Sequence, residues 1–434
     1  MKVGLISLGC AKNLVDSEMI LGILKEAGIE IVSSPEESDV IIINTCGFIE
    51  SAKEETINTI LEMKEFGKKL IVCGCYAERY KEKLKVEMPF IDRIITLKDY
   101  PKIHLILQEE FMDKALKFMP LRYESRMLST SSKTPYVKIS EGCNNRCTYC
   151  AIPLIRGGFR SRPFLEIINE CKLLIKNGAK EINLISQDTT RYGSDFSPNH
   201  ESLLASLMEE IASLNGVVMV RALYLYPDEI TPELLHTIKN NPKIASYFDI
   251  PIQHISSSVL KAMNRRGNET LVKELLYKIR TMIPDAIIRS TLIVGFPGET
   301  EADFDQLYHF VEEFQFDRLG VFAYSKEEDT KAFHLDNQID ENIKQDRLHQ
   351  IMKLQKKIAK KLNKEQIGKV HHTIIEAYDE ESKFYYGRSY AFAPDDVDGY
   401  IVFMSKVPLS IGDDIDVLIT DVFMYDLIGD AQIL

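Results

Sequence analysis

Ten residues constrain this chain more than any others. Glu141-Gly142-Cys143-Asn144-Asn145-Arg146-Cys147-Thr148-Tyr149-Cys150 places three cysteines with three and then two residues between them. The segment follows a strand-like run, Tyr136–Ile139, so the thiols fall in a loop at a strand end, where sites are commonly built. A loop this tight wraps a compact group and offers three thiolates to one face of an iron–sulfur cube. A cube has four irons, so three thiolates leave one iron open to a substrate. Structural zinc instead takes four protein ligands, often as paired C-x2-C spacings. The nearest further thiol is Cys171, inside a helical pattern, and no histidine lies between Cys150 and His200. The spacing therefore favours Cys143, Cys147 and Cys150 as ligands of a 4Fe-4S cluster, with Tyr149 beside the last of them.

At 434 residues the chain is long enough for two to four domains, and its patterning predicts an α/β fold in three parts. Residues 1–121 alternate short apolar runs (Val3–Leu8, Val40–Ile43, Leu70–Val72, Ile94–Ile95) with helical patterns at Ser17–Glu26, Ser51–Phe66 and Ala77–Val86, the order of a doubly wound α/β sheet. Residues 122–134, rich in serine and threonine, read as a linker. Residues 135–366 hold six strand–helix alternations closed by a basic helix near Asn342–Lys364, which predicts a partial TIM-like (β/α)6 barrel with its site at the carboxyl ends of the strands. Residues 367–434 carry short β-like runs with turns such as Asp398-Gly399 and Gly412-Asp413, a small antiparallel β-barrel.

Eight cysteines in a chain with no signal-peptide pattern predict a cytoplasmic protein whose thiols stay reduced. Arg221 interrupts the most apolar stretch, Val217–Tyr226, so no membrane span is expected. Cys10, Cys46 and Cys75 each follow a separate strand end of the first domain, in Leu8-Gly9-Cys10, Asn44-Thr45-Cys46 and Cys73-Gly74-Cys75. Three thiols on successive strand ends of a doubly wound sheet meet at one edge and predict a second cluster. Spacing leaves Cys73 and Cys75 both open as the third ligand, and the glycine turn before Cys75 favours Cys75. Other strand-end residues placed to meet a bound cofactor are Ser186-Gln187-Asp188, Arg221 and Gln253-His254, with His254 a candidate acid or base.

The central motif resembles that of the radical S-adenosylmethionine (SAM) superfamily. The resemblance implies that the open iron binds the amino and carboxylate groups of SAM and donates an electron that splits it into methionine and a 5'-deoxyadenosyl radical. Thr291-Leu292-Ile293-Val294-Gly295-Phe296-Pro297-Gly298-Glu299 partly matches the superfamily's adenine-contacting strand, which implies backbone contact around Ile293 and Gly295. Over almost its whole length the chain is similar to the MiaB/RimO methylthiotransferases, which combine a cluster domain, a radical SAM barrel and a TRAM barrel. The stretches Leu8-Gly9-Cys10-Ala11-Lys12-Asn13, Tyr136-Val137-Lys138-Ile139-Ser140-Glu141-Gly142-Cys143, Ser186-Gln187-Asp188-Thr189-Thr190, Phe248-Asp249-Ile250-Pro251-Ile252-Gln253-His254 and Gly387-Arg388-Ser389 with Ala393-Pro394-Asp395 are similar to the RimO branch. Cys75 stands where that family's third amino-terminal ligand stands. The resemblance implies two 4Fe-4S clusters, SAM, an electron donor, a sulfur source, and transfer of a methylthio group to the β-carbon of an aspartate in ribosomal protein S12.

Charge distribution weighs the branches separately. The net charge is -12, and residues 370–434 hold thirteen acidic residues against Lys383, Arg388 and Lys406, so ten of the twelve net charges lie there. An acidic barrel repels phosphate and attracts a basic ribosomal protein, which disfavours a tRNA methylthiotransferase. Lys353, Lys356, Lys357, Lys360, Lys361 and Lys364 read as the solvated face of a helix. From a different class, a non-catalytic iron–sulfur scaffold or redox module needs neither a barrel nor an open iron.

Overall fold

The computed structural model describes residues 1–111, 116–394 and 397–432; Asp395 of the quoted motif lies outside the described residues. In the first domain, strands β1 (Lys2–Ser7), β2 (Glu30–Val32), β3 (Val40–Thr45), β4 (Lys69–Gly74) and β5 (Arg93–Ile95) form a parallel sheet in the order β2-β1-β3-β4-β5. β3 is buried on both faces, as its unbroken Val-Ile-Ile-Ile run requires. β2 was not foreseen; it is an edge strand of three residues. The first helix, α1, spans Ala11–Glu26 and starts at the Cys10 cap, six residues before the expected Ser17.

The central domain is built from β6 (Tyr136–Lys138), β7 (Glu181–Ile185), β8 (Met219–Ala222), β9 (Tyr247–Asp249), β10 (Ile287–Val294) and β11 (Arg318–Ala323). They pair in parallel as β6-β7-β8 and β9-β10-β11, and a single bridge from Val220 to Ile244 joins the halves into a partial barrel. Val137, Leu184, Val220, Phe248, Ile288 and Leu292 face the surrounding helices in one large core. The basic helix, Glu341–Lys364, packs on this core through Ile351, Leu354 and Ile358 and leaves the six lysines named above exposed.

A closed five-stranded barrel follows: β12 (Val370–Tyr378), β13 (Tyr385–Arg388), β14 (Ile401–Met404), β15 (Asp414–Phe423) and β16 (Asp426–Ala431). It packs on the amino-terminal ends of the central strands, where Arg388 pairs with Glu181 (2.8 Å) and Glu376 (2.6 Å) and Tyr247 donates to Asp398 (2.5 Å). The first domain covers the opposite, carboxyl-terminal ends, held by Arg79 and Lys53 on buried Glu327 (2.9 and 3.1 Å). The segment expected as a linker is packed down: buried Arg126 bonds Glu18 and Glu170 (both 3.2 Å). No described helix is long and apolar enough to cross a membrane.

Candidate functional site

Cys10, Cys46 and Cys75 come together at the strand ends facing the central barrel. Gly9 sits at φ +86°, and a Cβ there would lie 2.8 Å from the Cys46 sulfur, so the backbone of one strand end is in contact with the thiol of the next. Cys10 precedes α1, and its carbonyl accepts the N–H groups of Asn13 (2.8 Å) and Leu14 (3.0 Å). Cys75 opens the short helix Cys75–Arg79 after Gly74, which turns at φ +94° against Asn44 and Thr45. Asn13 fastens these ends: its Nδ2 donates to the carbonyls of Leu8 (2.7 Å), Asn44 and Thr45 (both 3.3 Å). Burial, with a smaller contribution from charge on Cys10 or Cys46 and against the opposing guanidinium of Arg156, pushes the Cys75 thiol up to about 12. Desolvation also works against a Cys10 thiolate, but Lys12, Arg156 and the N–H groups of Asn13 and Lys12 outweigh it and hold that thiol below its ordinary value. Cys73 is fully buried in the core beside Ile71 and Ile95, part of the strand and not of the turn.

Cys143, Cys147 and Cys150 form the second set. Gly142 turns at φ +76° under the carbonyls of Gly157 and Gly158, and Cys143 N–H donates to Gly157 (3.2 Å). Thr148 anchors the far side through Met263 and Ala262 (both 2.9 Å), and the N–H of Ile152 donates to the Cys150 sulfur (3.4 Å). Burial raises the Cys143 thiol to about 11 and also raises Cys150, and a Cys147 thiolate opposes ionisation of both. Tyr149 accepts from Arg265 (3.3 Å), whose guanidinium is stacked 4.3 Å from the Tyr226 ring and lies 4.0 Å from the Cys147 sulfur.

Among the described residues no three His, Cys, Asp or Glu side chains are gathered tightly enough for one metal ion. A cube spreads its thiolates over several irons, and each set here offers three thiols, so the donors fit an iron–sulfur cluster better than zinc.

Residues 2–96 match the family described as Uncharacterized protein family UPF0004, residues 137–311 the Radical SAM superfamily, and residues 367–431 the TRAM domain. A protein of Acetivibrio thermocellus named ribosomal protein uS12 methylthiotransferase RimO is 47% identical over 99% of this chain and 98% of its own length. Proteins of the same name from Clostridioides difficile (47%, 99% of each chain) and Geobacter sulfurreducens (46%, 99% and 98%) are equally similar. The chain belongs to the RimO family. A solved radical SAM methyltransferase, TsrM from Kitasatospora setae, is 11% identical and shares the fold over 74% of this chain and 72% of its own, with a TM-score of 0.53.

In this RimO-family protein the remaining expected residues divide. Gln187 stands at the cysteine loop, where its Nε2 donates to Glu141 (2.9 Å). Ile293 and Tyr149 both pack against the buried cluster that holds Phe296 and Tyr324. The N–H groups of Ile293 and Gly295 are already bonded, to Gln253 (2.7 Å) and Glu299 (2.7 Å), so a ligand would meet this segment through other atoms. Arg221 is a correction: fully buried, it pairs with Glu181 (2.8 Å), lies 4.6 Å from the Tyr247 ring and donates to the carbonyls of Ser389 (3.3 Å) and Tyr390 (2.8 Å), so it seats the TRAM barrel at the end away from the thiols. His254 is another: it is fully buried, its Nδ1 accepts from Ser256 (3.0 Å), and desolvation lowers it to about 4, which leaves it neutral and out of reach as an acid or base. Sequence reasoning missed Asn13, Glu141 and Arg156, all of which lay inside or next to the quoted cysteine motifs.

Proposed function

We infer that this chain is a radical SAM methylthiotransferase that acts on ribosomal protein uS12. The observation that carries the reading is 47% identity over 99% of the chain to proteins that bear that name. The enzyme uses an iron–sulfur cluster and SAM. Cys143, Cys147 and Cys150 would hold the cluster, which would supply the electron for reductive cleavage of SAM. Tyr149, Gln187, Ile293 and Gly295 are assigned to the SAM pocket. Cys10, Cys46 and Cys75 are assigned to a second 4Fe-4S cluster, which would present the sulfur to be transferred.

The acceptor is the β-carbon of an aspartate, with an external electron donor and sulfur source. tRNA is disfavoured because Glu380, Glu381, Asp413, Asp414, Asp416, Asp421 and Asp430 are all exposed on the C-terminal barrel. Purified enzyme, reconstituted anaerobically, reduced with dithionite and supplied with SAM and sulfide, is expected to add a methylthio group to isolated uS12 and not to bulk tRNA, read by mass spectrometry. Modification of tRNA with uS12 unchanged would overturn the substrate.

A further inference from the structure

One short element touches both thiol sets. Helix Ile152–Arg156 begins at the N–H that meets the Cys150 sulfur (3.4 Å) and ends on a side chain that leaves the barrel for the first domain. There Nη2 of Arg156 lies 3.3 Å from the Cys75 sulfur and 3.2 Å from Oδ1 of Asn13. Its Nη1 is held from the other side by Asp16 (2.9 Å) and by both oxygens of Glu141 (3.1 Å). Lys138 pairs with the same two carboxylates, so two cations and two anions balance in a buried group. The Arg156 side chain is 2% exposed, and carboxylates on one edge of a planar guanidinium aim its other edge. That edge faces Cys75. Glu141, two residues before Cys143, also accepts from Gln187 (2.9 Å), so the chain of bonds runs from the SAM loop to the amino-terminal thiols.

We propose that Arg156, a residue of the radical SAM barrel, is a positioning residue for the amino-terminal cluster: its N–H bonds the Cys75 sulfur, fixes the two centres relative to each other, and raises the reduction potential of the amino-terminal one. A hydrogen bond or positive charge at a ligand sulfur stabilises the more negative, reduced cluster. The proposal rests on the two-cluster reading above.

The test is EPR-monitored redox titration of the full-length, reconstituted enzyme, with SAM used to mark the centre whose spectrum it changes. Arg156→Met is expected to lower the midpoint of the other centre by at least tenfold in the reduced-to-oxidised ratio at fixed potential, ~59 mV for one electron. The SAM-responsive centre is expected to keep its midpoint, and Arg156→Lys to restore more than half of the shift. If Arg156→Met does not retain the second cluster, Arg156→Gln carries the same expectation of a lowered midpoint. A full complement of about eight irons with both midpoints unmoved would overturn the proposal. Loss of the cluster in the Met, Gln and Lys variants alike would overturn it too, since the role would then be structural alone. A wild-type enzyme holding only about four irons, none lost in Cys75→Ser, would instead bring down the two-cluster reading itself.

Discussion

Cys73 and Cys75 are two residues apart and chemically identical, yet the fold gives them different surroundings. Cys73 lies in β4 with its side chain in the core, whereas Gly74 turns the chain so that Cys75 meets Cys10, Cys46 and Arg156. Cys75→Ser is expected to lose about four irons per chain on reconstitution, and Cys73→Ser none, by iron assay and absorbance. A second expectation concerns protons. Burial keeps Cys143 near 11 and Cys75 near 12 without iron, so both are protonated at neutral pH and ligation must release those protons. Iron affinity, measured by chelator competition, is therefore expected to rise with pH, about tenfold per unit for each proton released. An affinity flat from neutral to mildly alkaline pH would contradict the raised thiols.

At the scale of elements, α1 shows why its start was misread. Asp16 and Glu18 are buried, the first against Lys138 and Arg156 and the second against Arg126, so its inner face is polar and the apolar periodicity that marks a helix is weak. The same interface explains why a serine-rich stretch expected as a linker is packed. Where burial is apolar the sequence was legible: the basic helix expected near Asn342–Lys364, which packs through Ile351, Leu354 and Ile358, spans Glu341–Lys364. Cys143, Cys147 and Cys150 stand in one short motif, whereas Cys10, Cys46 and Cys75 share no local motif and only the order of the parallel sheet brings their strand ends to one edge. Arg221 was not legible, since a charge in a strand looks the same whether it faces a cofactor or another domain. Its partners decide: Arg221→Met is expected to destabilise the protein by about 3 kcal/mol, because Glu181 loses a buried partner, and to leave SAM affinity of the folded enzyme unchanged. Thermal melts and SAM titration read the two effects separately.

Across the whole molecule, the first domain and the TRAM barrel occupy opposite ends of the central strands, and most of the net negative charge sits on the TRAM end. Such a field steers a basic partner before it reaches the thiols. Reversing Asp413, Asp414, Asp416 and Asp421 to lysine is expected to slow uS12 association about tenfold at low salt, an effect that added salt erases, with SAM cleavage unaffected. The central claim is that uS12 is the substrate, and mass spectrometry of ribosomal proteins and bulk tRNA from cells with and without the gene tests it most directly. Loss of the methylthio group from the uS12 aspartate in the deletion strain, with tRNA unchanged, is the expected result; uS12 modified as before while a methylthio group disappears from tRNA would contradict the account.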